Sequence, residues 1–141
     1  MLRFYDQFEE DQSCIRMEYT LKPDGHLGLH NYGDLPDNTT VLAEGDGVAD
    51  PVFPARYMVT FGDSPQPLDY SIITTEYTDH ALVFSCTDVM GMANAQFAWI
   101  LSRNRTLDNK AIRGLTAKLS CHGVDINYFE ESPQINCSTH V

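Results

Sequence analysis

Apolar and polar residues alternate along most of the first hundred positions. Ile15, Met17, Tyr19 and Leu21 are interleaved with Arg16, Glu18 and Thr20. That period of two belongs to a strand with one face on an apolar interior and one in water. Lys22-Pro23-Asp24-Gly25 reads as a turn, and Leu27, Leu29 and Asn31 then alternate with His26, Gly28 and His30 as its returning strand. Pro36-Asp37-Asn38 makes the next turn. Thr40–Ala49 is predicted as a weaker strand, interrupted by Gly45 and Gly47, which suit a bend or bulge. Arg56–Phe61 alternates again with Tyr57, Val59 and Phe61 on the apolar side, and the polar run 62–67 turns the chain.

The stretch Leu68–Arg103 organises the rest. It holds three apolar runs rich in β-branched and aromatic residues, Tyr70–Thr75, Ala81–Ser85 and Phe97–Leu101. The turn between the first two is polar, and the next carries Gly91 and Asn94. None of the runs has helical spacing, so they predict three antiparallel strands in a meander. After Arg103 the period changes to near 3.6: Leu107, Ala111, Ile112, Leu115 and Leu119 share one stripe. Thr106 or Asp108 supplies an N-cap and Gly123 a C-cap, which predicts an amphipathic helix over 106–123, laid against the outside of the sheet. A short last strand is expected over Asn127–Glu130, and 1–12 has no clear period.

Strands joined by short turns favour an up-and-down antiparallel β-barrel over a sandwich with crossing connections. The fold class expected is therefore all-β: about eight strands, the first partial or missing, with one C-terminal helix outside. By the alternation the inward residues are Ile15, Met17, Tyr19, Leu27, Leu29, Tyr57, Val59, Phe61, Tyr70, Ile72, Ala81, Val83, Phe97, Trp99 and Leu101. None is charged. A barrel of this size either fills its interior with side chains or holds one small ligand, and the apolar chemistry is the same for both.

Thr75-Glu76-Tyr77, then 81–86 (Ala-Leu-Val-Phe-Ser-Cys), then 97–103 (Phe-Ala-Trp-Ile-Leu-Ser-Arg), resemble the second and third conserved blocks of the lipocalins. The resemblance is nearest to the apolipoprotein D, bilin-binding and crustacyanin branch, and it extends more loosely from about Phe8 to Cys137. Two departures are visible: Glu76 stands where the family usually has Asp, and the first block, a Gly-x-Trp, is absent. The resemblance implies a cavity for a small hydrophobic molecule such as a lipid, sterol, retinoid, bilin or carotenoid. Its walls are expected from Met17, Leu27, Leu29, Val59, Phe61, Tyr70, Ile72, Val83, Phe97 and Trp99, with the hydroxyls of Tyr57, Tyr70 and Ser85 orienting polar ends. Thr75, Glu76, Tyr77 and Arg103 take structural roles. The family Arg at Arg103 closes the barrel bottom by stacking on the first-block Trp, a partner lacking here because the only Trp is Trp99. Cys14 and Cys137 match a family pair that ties the tail to the barrel. Cys86 matches a position whose partner precedes the first strand and Cys121 has no counterpart, so these two are either bridged or free thiols. The alternative functions are a pigment-binding assembly protein of the crustacyanin type and a ligand-free packed barrel.

The totals narrow the class. At 141 residues the chain makes a single domain: 1–12 remnant of a first strand or loop, 13–103 barrel strands, 106–123 helix, and 124–141 a last strand with a tethered tail. Twenty acidic against nine basic residues give a net charge of -11, which argues against nucleic acid or an anionic membrane as partner. No apolar run approaches the roughly 18 residues of a membrane-spanning helix. The first residues carry no apolar leader core, so the chain is expected to be a piece lacking its leader and most of its first strand. The acceptor patterns at Asn38, Asn104 and Asn136, with four cysteines, point to a secreted, disulfide-bonded glycoprotein. A barrel short of one strand is also expected to self-associate through its edges. No metal or cofactor is expected beyond the bound hydrophobic molecule: His26 and His30 are four apart on a strand, ~13 Å at about 3.3 Å per residue, too far for one ion. Nor is an enzyme expected, since no nucleophile motif is visible and Cys86 points outward if Ser85 points in.

Overall fold

The architecture was established from a computed structural model, which describes residues 2–4, 9, 11–62, 66–89 and 91–137. Nine strands form one antiparallel sheet. They are β1 (Leu2–Phe4), β2 (Ser13–Leu21), β3 (Leu27–Asp34), β4 (Thr40–Ala49), β5 (Arg56–Phe61), β6 (Leu68–Glu76), β7 (His80–Val89), β8 (Ala93–Ser102) and β9 (Phe129–Glu131). The order across the sheet is β2-β3-β4-β5-β6-β7-β8-β1-β9, so seven consecutive strands meander before the sheet is completed by its first and last segments.

The three central runs grow into longer strands than their apolar cores suggest, because backbone pairing continues past the last buried side chain. β7 and β8 pair over ten positions, from His80↔Ser102 to Val89↔Ala93, so Asn94 is a strand residue and not part of the turn. Leu2–Phe4 takes the strand alternative of the two expected for 1–12. Within a segment with no sequence period, it forms a strand between β8 and β9, in register Leu2↔Ile100 and Leu2↔Glu131. The final strand lies at Phe129–Glu131, after a short 3-10 turn at Ile126–Tyr128 that displaces it from Asn127–Glu130.

The sheet is strongly curled. β2 and β6 are four steps apart in the order, roughly 19 Å across a flat sheet at about 4.8 Å per strand. Yet the hydroxyls of Tyr19 on β2 and Tyr70 on β6 are 2.6 Å apart. Only a sheet rolled on itself brings them together. Its outer strands, β2 and β9, are joined by the tail: the Cys14 N–H donates to the Pro133 carbonyl at 2.7 Å, and Gln134 Nε2 donates to the Ile15 carbonyl at 3.2 Å. The Cys14–Cys137 disulfide fastens this join.

Two apolar clusters form. The helix α1 (Asn109–Ser120) covers the outer face of β7 and β8, burying Leu115 and Leu119 with Val124 against Leu82, Ala98 and Ile100. Asp108 is its N-cap, with Oδ2 accepting from the Lys110 N–H at 2.8 Å. The helix is therefore shorter than 106–123 at both ends. The second cluster lies inside the curl: Leu29, Val59, Tyr70, Val83, Phe97 and Trp99, with Phe61 packed against them.

Candidate functional site

The interior is part solid and part hollow. Leu29 and Val59 are 1% and 0% exposed, and the Phe97 and Trp99 rings lie 6.1 Å apart, nearly parallel. Phe61 closes the packing: a Cβ on Gly45 would stand 2.8 Å from its ring, so this position has room only for glycine. Beside this plug lies a cavity of about 980 Å³, at the upper end of the range usual for small-molecule sites. Its apolar wall includes Ile15, Met17, Leu27, Tyr57, Ile72, Ala81, Val83 and Leu101.

Of the ten residues expected on the ligand wall, Met17, Leu27, Tyr70, Ile72 and Val83 line this cavity. Leu29, Val59, Phe61, Phe97 and Trp99 do not: they belong to the plug. The reason is physical. Alternation tells which face of the sheet a residue occupies, but not how far along the barrel axis it sits, and wide rings facing one another across a narrow barrel fill it. Ser85 is 0% exposed on β7 and Tyr57 lines the cavity, so of the three expected polar contacts Tyr57 and Tyr70 reach it and Ser85 does not.

The mouth is made by Pro54 and Ala55 between β4 and β5, by the turn from Thr75 to His80, and by Ser102–Arg105 after β8. In an up-and-down sheet these connections share one end. Thr75, Glu76, Tyr77 and Arg103 therefore come together as a rim. Arg103 is exposed; its Nε donates to the Tyr77 carbonyl at 2.8 Å, and its backbone N–H donates to the Asp79 carbonyl at 2.8 Å. Trp99 lies in the plug, so Arg103 stands at an opening without the stacked tryptophan of the family, as the absence of the first block implies. Asp79 Oδ2 lies 2.9 Å from His80 Nδ1 on the same rim.

The polar feature of the interior is the tyrosine pair. Tyr70 is 4% exposed and packs on Trp99, with ring centroids 5.9 Å apart. Tyr19 is 41% exposed and is itself a wall of the cavity. The two hydroxyls share a hydrogen bond of 2.6 Å, and the Tyr19 hydroxyl also lies 3.3 Å from Met17 Sδ. Burial pushes the Tyr19 phenol up to about 12, and the nearby Glu9 charge adds to the rise. Tyr70 is raised well above the usual phenol range, first by burial, then by Tyr19 and Glu9. Glu9 itself is 7% exposed, at a position for which the sequence period gave no sign of burial. The next residues press on the inner sheet: the Gln12 side chain occupies the place a Cβ on Gly33 would take.

The remaining candidates fall on the outside. His26 Nδ1 is 2.7 Å from Asp46 and His30 Nε2 is 3.3 Å from Glu44, so each imidazole faces its own β4 carboxylate. Among the described residues no three His, Cys, Asp or Glu side chains are grouped to hold a metal ion. Cys86 and Cys121 are free thiols, Cys86 half-buried in an outer groove with Phe53, Ile73 and Phe84, and Cys121 exposed at the helix end. Asn38, Asn104 and Asn136 are all exposed.

A curled antiparallel sheet with an outer helix and an internal apolar cavity defines a barrel with room for a small molecule. Residues 2–134 match the Lipocalin / cytosolic fatty-acid binding protein family, and the chain belongs to it. It is 33% identical over 129 residues to apolipoprotein D of Mus musculus, covering 91% of this chain and 68% of that one. It is 23% identical over 133 residues to the Lazarillo protein of Schistocerca americana, covering 90% and 61% respectively. Among solved structures, lobster apocrustacyanin A1 superposes with a TM-score of 0.81 at 20% identity, over 94% of this chain and 73% of that one. Insecticyanin from the tobacco hornworm Manduca sexta does so with a TM-score of 0.76 at 21% identity, over 93% and 73%.

Proposed function

We propose that this protein binds and carries a small, largely hydrophobic molecule in the cavity walled by Met17, Leu27, Tyr70, Ile72 and Val83, without altering it chemically. The observation that carries this reading is a void of about 980 Å³ bounded mostly by apolar side chains inside a lipocalin barrel. Association is driven by removing ligand surface from water, at roughly 25 cal/mol per Å² of apolar area. The carrier reading is favoured over catalysis because neither free thiol lines the cavity and the phenols are held protonated. An extracellular setting accords with the Cys14–Cys137 disulfide, and the exposed Asn38, Asn104 and Asn136 are then open to glycosylation.

Ala81 tests the site. It faces the cavity from β7, and Ala81→Phe fills part of the void without touching the plug. An apolar fluorescent probe titrated into the wild type is expected to saturate at one equivalent. Ala81→Phe is expected to weaken it about tenfold or more, with the thermal midpoint little changed. Equal binding by the two proteins would place the ligand elsewhere.

A further inference from the structure

The fold treats the three acceptor patterns for N-glycosylation differently. At Asn38 the hydroxyl residue, Thr40, is drawn into β4, where its Oγ1 donates to Asp34 Oδ1 at 2.7 Å. At Asn136 the middle residue is Cys137, fixed in the disulfide. At Asn104 the whole pattern, Asn104, Arg105 and Thr106, is exposed in a bend between β8 and α1, outside strand and helix. So open a segment leaves the asparagine amide and the hydroxyl two residues on both within reach of a transferase.

Of these asparagines Asn104 is the one that borders the cavity. Its segment is held there. Arg103 Nε donates to the Tyr77 carbonyl and the Arg103 backbone N–H to the Asp79 carbonyl, each at 2.8 Å. The Asn104 N–H donates to Ser102 Oγ at 3.2 Å. A chain rooted on Asn104 is therefore tethered to the rim that Tyr77, Pro54 and Ala55 share.

We propose that Asn104 carries an N-linked glycan that overhangs the cavity mouth and slows ligand exchange in both directions. The Asn104 Nδ2 forms a bond to the anomeric carbon of an oligosaccharide donated by a polyprenyl pyrophosphate. The sugar–phosphate C–O bond breaks, the pyrophosphate leaves with the electron pair, and one amide proton passes to solvent. The glycan is bulky and polar, so it stays in water over the mouth and does not enter the apolar cavity. It obstructs entry and exit alike and touches neither end state, so it changes rates and not affinity. This rests on the reading of the cavity as a carrier's binding site and on an extracellular setting, to which it adds control of access.

The test uses protein secreted from animal cells behind a leader. Peptide mass spectrometry is expected to find Asn104 occupied. Stopped-flow mixing with an apolar fluorescent probe then gives association and dissociation rates. Thr106→Ala removes the acceptor pattern, while Thr106 lies off the cavity wall and Asp108 still caps the helix. Both rates are expected to rise about threefold or more in Thr106→Ala, with the dissociation constant held within about twofold. Wild type trimmed after folding with a peptide N-glycosidase is expected to exchange the probe at the same raised rates. An unmodified Asn104, or a Thr106→Ala protein that exchanges the probe as slowly as the glycosylated wild type, would overturn the lid and leave the carrier reading standing. Failure of every form to bind the probe would overturn both.

Discussion

Tyr70 sits where solid interior gives way to hollow, with its ring on Trp99 and its hydroxyl on Tyr19. Its phenol and that of Tyr19 are raised above the ordinary range by burial, Tyr19 to about 12, so the folded state holds these protons more tightly than the unfolded chain does. The Tyr19 contribution to stability is complete below the unfolded phenol value of about 10 and is lost as pH rises from there through about 12, and the Tyr70 contribution likewise begins to be lost above the unfolded value. Denaturant midpoints measured from pH 9 upward should fall more steeply for the wild type than for Tyr19→Phe, which has one phenol fewer to ionise. Gly45 gives a second residue-scale prediction. Gly45→Ala drives a methyl to 2.8 Å from the Phe61 ring and should cost about 1–3 kcal/mol of unfolding free energy by chemical denaturation. Sequence alternation identified the inward residues of both regions, but it could not distinguish Val59, which is sealed in the plug, from Val83, which reaches the cavity wall. That difference depends on which side chains meet across the barrel, and the pairing of distant strands decides it. Glu9 was illegible for another reason: a buried carboxylate in a segment without period leaves no pattern at all.

At the scale of elements the pattern was more informative. Thr40–Ala49 forms its strand over the expected span despite two glycines, because the neighbouring strands supply the register. The outer helix follows its 3.6 stripe, and Asp108, one of two cap candidates, is the residue that caps it. Its ends were less legible, since cap geometry and not hydrophobic period decides where a helix stops. Leu115 and Leu119 carry the docking of α1, at 4% and 2% exposure. Leu115→Ala should cost about 2–5 kcal/mol, read from denaturant unfolding, because it opens a hole between α1 and the sheet while leaving the cavity wall intact. Affinity for an apolar probe should hold wherever this variant remains folded. A matched loss of affinity would mean that the helix and the cavity act as one unit. Leu2–Phe4 shows the limit of local reading: three residues with no period become a strand because β8 and β9 each offer an edge to pair with.

The whole molecule depends on how the curl is closed. β2 and β9 end the sheet order, and the tail joins them through the Pro133 and Gln134 bonds and the Cys14–Cys137 bridge, which spans 123 positions. A bridge closing so long a loop restricts the unfolded chain strongly, and its removal should cost about 2–5 kcal/mol. The double variant Cys14→Ser/Cys137→Ser isolates this effect from the free thiols of Cys86 and Cys121, which a reductant alone would not. Two consequences follow from geometry. Cys14, Gln134 and Cys137 all border the cavity, so loosening the tail opens its wall, and probe affinity should fall together with the thermal midpoint. The unfastened β2 would also present backbone donors and acceptors along a free edge, the surface on which sheets from separate chains pair. Light scattering over a concentration series should then show association that is stronger in the double variant than in the wild type. A variant that scatters like the wild type and keeps its probe affinity would mean that the hydrogen bonds of Pro133 and Gln134 hold the barrel shut without the bridge.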